Sequence, residues 1–332
     1  MDEIITLDYG SGGKKTSRLI EQLILPDFDN PALSALGDGA LIPGSGTLAF
    51  STDSFVVDPI VFPGGDIGKL AVCGTVNDIA MCGAEPKFLS CALIIEEGLE
   101  RKTLEQILRS MSDAAKAAGV QIVTGDTKVV DRGRGDKLYI NTAGIGYQKY
   151  RIPGLDTVRP GDAVLVSGTV GDHGTAIMLA RSGMMDGEIR SDCAALHHLT
   201  EAMLSSGAAV RILRDPTRGG LATTLNEFTE GRPFGIELQN AAIPVRPAVQ
   251  AACDMLGLEP VYCANEGKLV CICAGEDAED LLADMRKLPE GENAAIIGHV
   301  TEDAAGRVVM RTELGGRRIL QKLAGAQLPR IC

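Results

Sequence analysis

The run Thr103-Leu104-Glu105-Gln106-Ile107-Leu108-Arg109-Ser110-Met111-Ser112-Asp113-Ala114-Ala115-Lys116-Ala117-Ala118-Gly119-Val120-Gln121-Ile122-Val123-Thr124-Gly125-Asp126-Thr127-Lys128 sets the fold class. Leu104, Ile107, Leu108, Met111, Ala114, Ala115 and Ala118 recur at helical spacing, which predicts a helix from about Thr103 to Ala118 with one buried face. Gly119 closes it, and Val120 to Val123 begins a strand. The strand leads into Gly125-Asp126-Thr127-Lys128, which reads as an acidic turn.

Outward from this unit the same alternation continues. Before it stand a short strand candidate at Ile4 to Leu7 and the loop Gly10-Ser11-Gly12-Gly13. A helix follows through Leu19, Ile20, Leu23 and Ile24, then strand pieces at 48–51 and 55–57 around Asp53, and a helix from Ile67 to Met81. Leu138 to Gly146 is a further strand. Arg151 to Gly161, with two prolines and two glycines, is the best linker. Beyond it come a strand at 163–166, helices near 175–181, 194–205 and 221–230, a strand at 268–274, a helix at 277–286 and a strand at 294–299. The chain therefore reads as α/β (α+β) in two domains, 1–155 and 156–310. Residues 311–332 would add a short helix after Gly315-Gly316 and a mobile tail ending in Cys332.

At 332 residues the chain is long enough for two domains with real cores. A net charge of -12 argues against nucleic-acid binding, which needs a basic surface. No apolar run reaches membrane-spanning length, and Met1-Asp2-Glu3 does not resemble a signal peptide, so the expected address is the cytoplasm. The nine cysteines lie mostly in apolar neighbourhoods and read as small buried hydrophobes. Cys271 and Cys273 would point the same way from a strand, but no second Cys or His pair follows to complete a zinc site.

Five aspartates sit among small residues: Asp38, Asp53, Asp78, Asp126 and Asp215. Each alone could cap a helix or close a turn. Together they suit magnesium, which takes carboxylate oxygens while keeping water and phosphate ligands. Neighbouring glycines would let backbone amides approach phosphate oxygens, with Lys128 and Arg218 adding positive charge. Gly10 to Thr16 misses the P-loop pattern and reads as a flexible lid. No dinucleotide fingerprint is present. Glu266, in Asn265-Glu266-Gly267-Lys268, is either a capping or surface-turn residue or a general base. His173, in Gly171-Asp172-His173-Gly174, either contacts phosphate or satisfies the start of its helix. The tail Pro329-Arg330-Ile331-Cys332 ends on a thiol. Extended, the residues after Gly325 reach roughly 25 Å, enough to carry Cys332 into a neighbouring cleft.

These segments together resemble the HypE family of hydrogenase maturation proteins. That family lies within the ATP-binding superfamily of aminoimidazole ribonucleotide synthetase, selenophosphate synthetase and thiamine-monophosphate kinase. The resemblance runs through Gly10 to Gly13, Gly37-Asp38-Gly39-Ala40, Thr52-Asp53-Ser54, Asn77 to Ala84, Gly125 to Lys128, Asp215 to Leu221 and Ala264 to Gly267, and the ending Pro329 to Cys332 singles out the branch. It implies a two-domain aminoimidazole ribonucleotide synthetase-like fold. Two N-terminal sheets would join into a barrel-like homodimer core, with ATP along the interdomain and intersubunit cleft. Asp38, Asp53, Asp78 and Asp215 would hold magnesium. Gly12, Gly13, Asn77, Gly125, Asp126, Thr127, His173 and Arg218 would contribute to the nucleotide site.

The activity implied is dehydration of an S-carboxamide on Cys332 to a thiocyanate, which supplies cyanide to the iron of [NiFe] hydrogenase. Glu266 would be the base and Lys128 would orient the carboxamide. A carbamoyltransferase would load Cys332, and an iron-carrying scaffold would accept the cyanide. Two rivals remain: a small-molecule kinase or synthetase of the same superfamily, and a thiol carrier or metal chaperone without ATP chemistry.

Overall fold

The computed structural model describes residues 3–6, 19–28, 30, 44, 46–184 and 188–322. They form two compact units, one running to Ile79 and from Ala84 to Lys149, the other comprising Ala80–Gly83 and Tyr150 onward.

The first unit opens with a helical stretch that contains a π-helical turn, Ile20–Ile24, continued by α1 (Leu25–Phe28). Its body is a four-stranded sheet of β1 (Leu48–Phe55), β4 (Ala84–Glu96), β5 (Gln121–Val130) and β6 (Leu138–Gln148), in the order β1-β6-β4-β5. A short hairpin, β2 (Val61–Phe62) and β3 (Gly65–Asp66), leads into α2 (Ile67–Met81). Helix α3 (Arg101–Ala117) buries Leu104, Ile107, Leu108, Met111 and Ala115, the face its periodicity requires. Full burial of each larger side chain contributes about 2 kcal/mol. The opposite face of the sheet is open: Leu48, Phe50 and Ile94 are 50, 70 and 42% exposed.

The second unit is a seven-stranded, mainly antiparallel sheet in the order β13-β12-β9-β11-β7-β10-β8. Its strands are β7 (Ala163–Val166), β8 (Val210–Arg214), β9 (Gly235–Gln239), β10 (Val270–Cys273), β11 (Ala295–Thr301), β12 (Val308–Arg311) and β13 (Arg317–Leu320). Alternation splits β7 and β10 between two cores. Val164, Val166, Val270 and Ile272 pack with Leu221, Leu225 and Phe228 of α6 (Gly220–Thr229). Ala163, Leu165, Cys271 and Cys273 pack with α5 (His197–Ser205) and α8 (Ala278–Met285). Cys271 and Cys273 thus share a face, among aliphatic side chains. A third cluster joins α4 (Asp172–Ser182) to α7 (Pro247–Leu256).

Several expectations change. The strand candidate at Ile4 is an isolated bridge to Glu100, and Leu7 lies outside the described residues. The two pieces flanking Asp53 are one continuous strand, β1. Gly125-Asp126-Thr127-Lys128 is no turn but lies within β5, paired in parallel with Cys91 to Ile94. The glycine answers to packing: a Cβ at Gly125 would stand 2.4 Å from the Cys91 carbonyl oxygen. Likewise Asp53 sits in a strand and Asp78 in a helix, so of the described aspartates in the set only Asp215 occupies a loop. The short helix expected after Gly315-Gly316 is instead β13, because Gly315 at φ +82° turns the chain back to pair with β12. β4, β8, β9, α7 and β12 went unanticipated: β4, thirteen residues long, carries Pro86 and Lys87 near its start, interrupting its apolar run, and the others are short runs without a decisive period. Among the described residues the four-stranded sheet ends at β1 and β5 and is not closed into a barrel. No helix among the described residues is long and apolar enough to cross a membrane.

Gly125→Ala is expected to cost about 1–3 kcal/mol through overpacking against rigid backbone. A thermal melt should then fall by several degrees, roughly 2–4 °C per kcal/mol.

Candidate functional site

In the first unit α2 lies against β1 because Gly74 has no side chain. A Cβ there would come within 2.8 Å of the Phe55 ring and 3.9 Å of Asp53 Oδ2. One helical turn later, Asp78 Oδ2 accepts a 2.6 Å hydrogen bond from Ser51 Oγ. Ser51 and Asp53 are two residues apart on β1, about 7 Å, so Asp53 and Asp78 line the same flank of that strand. Both are half-buried, and Asn77 beside them is buried. The Asp53 Oδ1 accepts the Ser54 N–H at 2.8 Å.

Asp126 and Lys128 belong to the open face. Asp126 pairs with Ala92, whereas Asp53 pairs with Thr142, which turns its hydroxyl to α2. Lys128 Nζ and the Thr127 N–H both donate to Asp126 Oδ1 at 2.9 Å. The Lys128 hydrogen bond, then the Thr127 N–H, holds this carboxyl below the usual carboxylate range. The pair is 63% exposed on each side, so its ion pairing adds little stability and leaves the ammonium open to solvent. The set read from the sequence is therefore split between two faces of one sheet. Asp38, Gly12, Gly13 and Cys332 lie outside the described residues.

The second unit gathers a denser polar cluster around Asn265, which is fully buried. Its Oδ1 accepts the Gly171 N–H at 2.7 Å, and its Nδ2 donates to the carbonyls of Pro216 at 3.0 Å and Cys263 at 3.1 Å. One amide thereby fastens the start of α4, the Asp215–Gly220 loop and the 263–266 segment. This brings the Asp215 and Glu266 motifs together, although they lie far apart in sequence. Arg218 is exposed at the loop tip.

Glu266 is buried, which removes the surface-turn reading, and its N–H donates to Asp192 Oδ1 at 3.0 Å. Asp192 Oδ2 lies 3.3 Å from Lys268 Nζ, with the Asp192 side chain only 3% exposed. Burial works to raise this carboxyl, but the Lys268 ammonium, His173 and the Glu266 N–H prevail and hold it below the usual range. His173 is fully buried, with Nδ1 2.8 Å from Ser191 Oγ. Burial draws its imidazole down to about 4 against the pull of Asp192. It is therefore a neutral ring at pH 7, built into the cluster and closed off from solvent. Asp172, next to it, accepts from Thr169 Oγ1 at 2.6 Å and pairs with Arg246 at 3.3 Å. Burial nevertheless raises its carboxyl above the usual range.

Sequence reasoning missed Asp172, Asp192, Asn265 and Lys268. Asp172, Asn265 and Lys268 stand within motifs already singled out, beside residues chosen for their chemistry. Asp192, in Arg190-Ser191-Asp192-Cys193, carries no local signal, since its partners lie more than 70 residues on.

Residues 36–148 match the N-terminal domain of AIR synthase related proteins, and residues 159–311 match their C-terminal domain. The chain thus has the two-domain α+β fold of that class. It is 51% identical to the carbamoyl dehydratase HypE of Cupriavidus necator, over 99% of this chain and 95% of the relative. A crystal structure of hydrogenase maturation protein HypE in complex with ATP superposes with a TM-score of 0.93, at 51% identity, covering 98% of this chain and 99% of that one. HypE in a crystal structure of the HypE–HypF complex matches with a TM-score of 0.79 at 45% identity, covering 92% and 99%. The chain belongs to the HypE family of hydrogenase maturation proteins.

The buried neutral His173 has a consequence for stability. Between its ordinary value of 6.5 and about 4, the unfolded chain binds a proton that the folded chain excludes. Stability should therefore fall as pH drops through that window, by about 3 kcal/mol in full. Denaturant unfolding at a series of pH values should show this loss in the wild type and a flatter profile in His173→Asn.

Proposed function

We propose that this chain is an ATP-dependent carbamoyl dehydratase that acts on an S-carboxamide carried by its own Cys332 and yields the thiocyanate used for cyanide ligands of [NiFe] hydrogenase. The observation that carries the reading is Glu266: a buried carboxylate fastened by its own backbone, in a chain half identical to a carbamoyl dehydratase.

The carboxamide oxygen is a poor leaving group. Attack of that oxygen on the γ-phosphorus of ATP expels ADP and turns the oxygen into part of a phosphate ester. One N–H proton is lost as the phosphoryl group arrives. The second is lost as the C–O bond breaks, phosphate leaves and the C≡N bond forms. Glu266 takes a proton from nitrogen in this sequence. Lys128 orients the carboxamide and offsets negative charge, a role that suits a solvent-facing ammonium held by an exposed ion pair with Asp126. Asn77, Gly125, Asp126, Thr127, His173 and Arg218 belong to the proposed nucleotide site, His173 from its buried position through the cluster it supports. Gly12 and Gly13 are assigned to a lid that excludes water from the phosphates.

Asp53 and Asp78 present a hard, oxygen-only donor set with the Ser51 hydroxyl alongside, which fits magnesium. Asp38 and Asp215 are the further proposed ligands. When bound, magnesium would neutralise phosphate charge.

The HypE–HypF complex supports a HypF-type protein as the partner, proposed here as the carbamoyltransferase that loads Cys332. An iron-carrying scaffold is the proposed cyanide acceptor. The open apolar face around Leu48, Phe50 and Ile94 supports a homodimer in which two such sheets form a barrel-like core. The proposed address is the cytoplasm.

The test is intact-protein mass spectrometry after incubation with the carbamoyltransferase, its carbamoyl donor and ATP. The wild type is expected to gain a carbamoyl adduct on Cys332 that then loses one water. Glu266→Gln is expected to keep the adduct and to dehydrate it at least about a hundredfold more slowly. An unchanged dehydration rate removes Glu266 as the base. If an active carbamoyltransferase leaves Cys332 unmodified, the dehydratase reading gives way to a small-molecule ATP enzyme.

A further inference from the structure

The segment that carries Glu266 is gripped on both sides by Asp192 and Lys268, which take no part in the phosphoryl transfer or the proton removal. Asp192 Oδ1 accepts the Glu266 N–H at 3.0 Å. Lys268, 3.3 Å from Asp192 Oδ2, donates to the Gly267 carbonyl at 3.1 Å. The peptide group before Glu266 and the one after Gly267 are thus held by the two members of one ion pair. Backbone contact tightens the grip: a Cβ at Gly267 would lie 1.9 Å from the Asp192 carbonyl oxygen and 2.9 Å from the Ala194 nitrogen. Only glycine lets the 192–194 strap lie on this segment.

The pair is buried, with side chains 3 and 13% exposed. A buried ion pair recovers little net stability against its desolvation, but removing one partner strands the other. Its geometry is accordingly well determined, since the carboxylate must answer the ammonium and the N–H together. Asn265, the residue before Glu266, is itself fixed by hydrogen bonds to the Gly171, Pro216 and Cys263 backbone.

We infer that Asp192 is a positioning residue for the dehydration step, which sets the Glu266 carboxylate through its backbone and, with Lys268, the charge around it. This rests on the reading of Glu266 as the base. The charged and titratable groups facing Asp192 are His173 and Asp172 of α4 and Lys268, with Arg246 paired to Asp172 and the Glu266 backbone N–H donating to the carboxylate. Asp192→Asn keeps an oxygen for the Glu266 N–H but removes a negative charge one hydrogen bond from the Glu266 backbone and frees Lys268. Both changes favour the ionised base, so the acid limb of the pH–rate profile moves to lower pH, by about one unit. A residue that only supported the fold would lower the rate and leave that limb in place.

The experiment uses the full-length protein, pre-carbamoylated on Cys332, in single-turnover dehydration followed by mass spectrometry across pH. ATP binding is measured alongside. Asp192→Ala is expected to slow dehydration about a hundredfold, as a small misplacement of a reacting group does, with ATP affinity within about threefold of wild type. Asp192→Asn is expected to lose less rate and to show the shifted limb. Where Asp192→Ala fails to fold, Asp192→Asn carries the test alone. Wild-type rates in a folded variant overturn the inference, and so does a slowed Asp192→Asn with an unmoved limb. Glu266→Gln in the same assay separates the two ideas. Its full activity removes the base reading itself, whereas an inactive Glu266→Gln beside a wild-type-like Asp192→Asn removes only the positioning role.

Discussion

A single buried amide organises the second unit. The Asn265 side chain has two donors and an acceptor in a place water does not reach, and all are directed at backbone of three separate segments. Each unmade bond there would cost about 1–3 kcal/mol, so the amide and the three segments determine one another's positions. The loop after β8, the start of α4 and the Glu266 segment are irregular backbone. They hold a defined arrangement because this group and the Asp192–Lys268 pair satisfy polar atoms that the sheet does not. The regular elements supply the platform, with β7 and β10 buried on both faces, and the polar fasteners set the geometry on top of it.

The first unit works by a different constraint. Its helices cover one face of a four-stranded sheet, and close approach at Gly74 brings α2 onto β1 so that Asp78 reaches Ser51 beside Asp53. The other face keeps Phe50 and Ile94 exposed, with the Asp126–Lys128 pair beside Ile94. A sheet with one apolar face uncovered is an incomplete core, and its polar residues are presented in the plane where a second surface would cover it.

The long amphipathic helix α3 was legible from the chain alone, whereas the thirteen-residue strand β4 was not. Helix α2 was placed at its observed limits and β7 likewise, as mainly apolar runs of fifteen and four residues whose lengths suit a buried helix and a buried strand. Short elements such as β9 and β12 were not, because five or four residues fit helix and strand equally well. The acidic motifs were found, but their local conformation was misjudged: Gly beside Asp suggested a turn at Gly125, where the cause is the closeness of the Cys91 carbonyl on the neighbouring strand.

Sequence by itself determined the α/β character, the two-part organisation, the acidic and glycine-rich motifs and, through their resemblance, the family. Each of these resides in local pattern or in residue identity. Tertiary structure alone decided which motifs meet. It set Asp53 and Asp78 on one side of a sheet and Asp126 and Lys128 on the other, buried His173 as a neutral ring, and joined Asp192 to Glu266 across 74 residues. Strand alternation assigns a side only once strand pairing is known. A buried charge finds its partner only once the chain has closed around both.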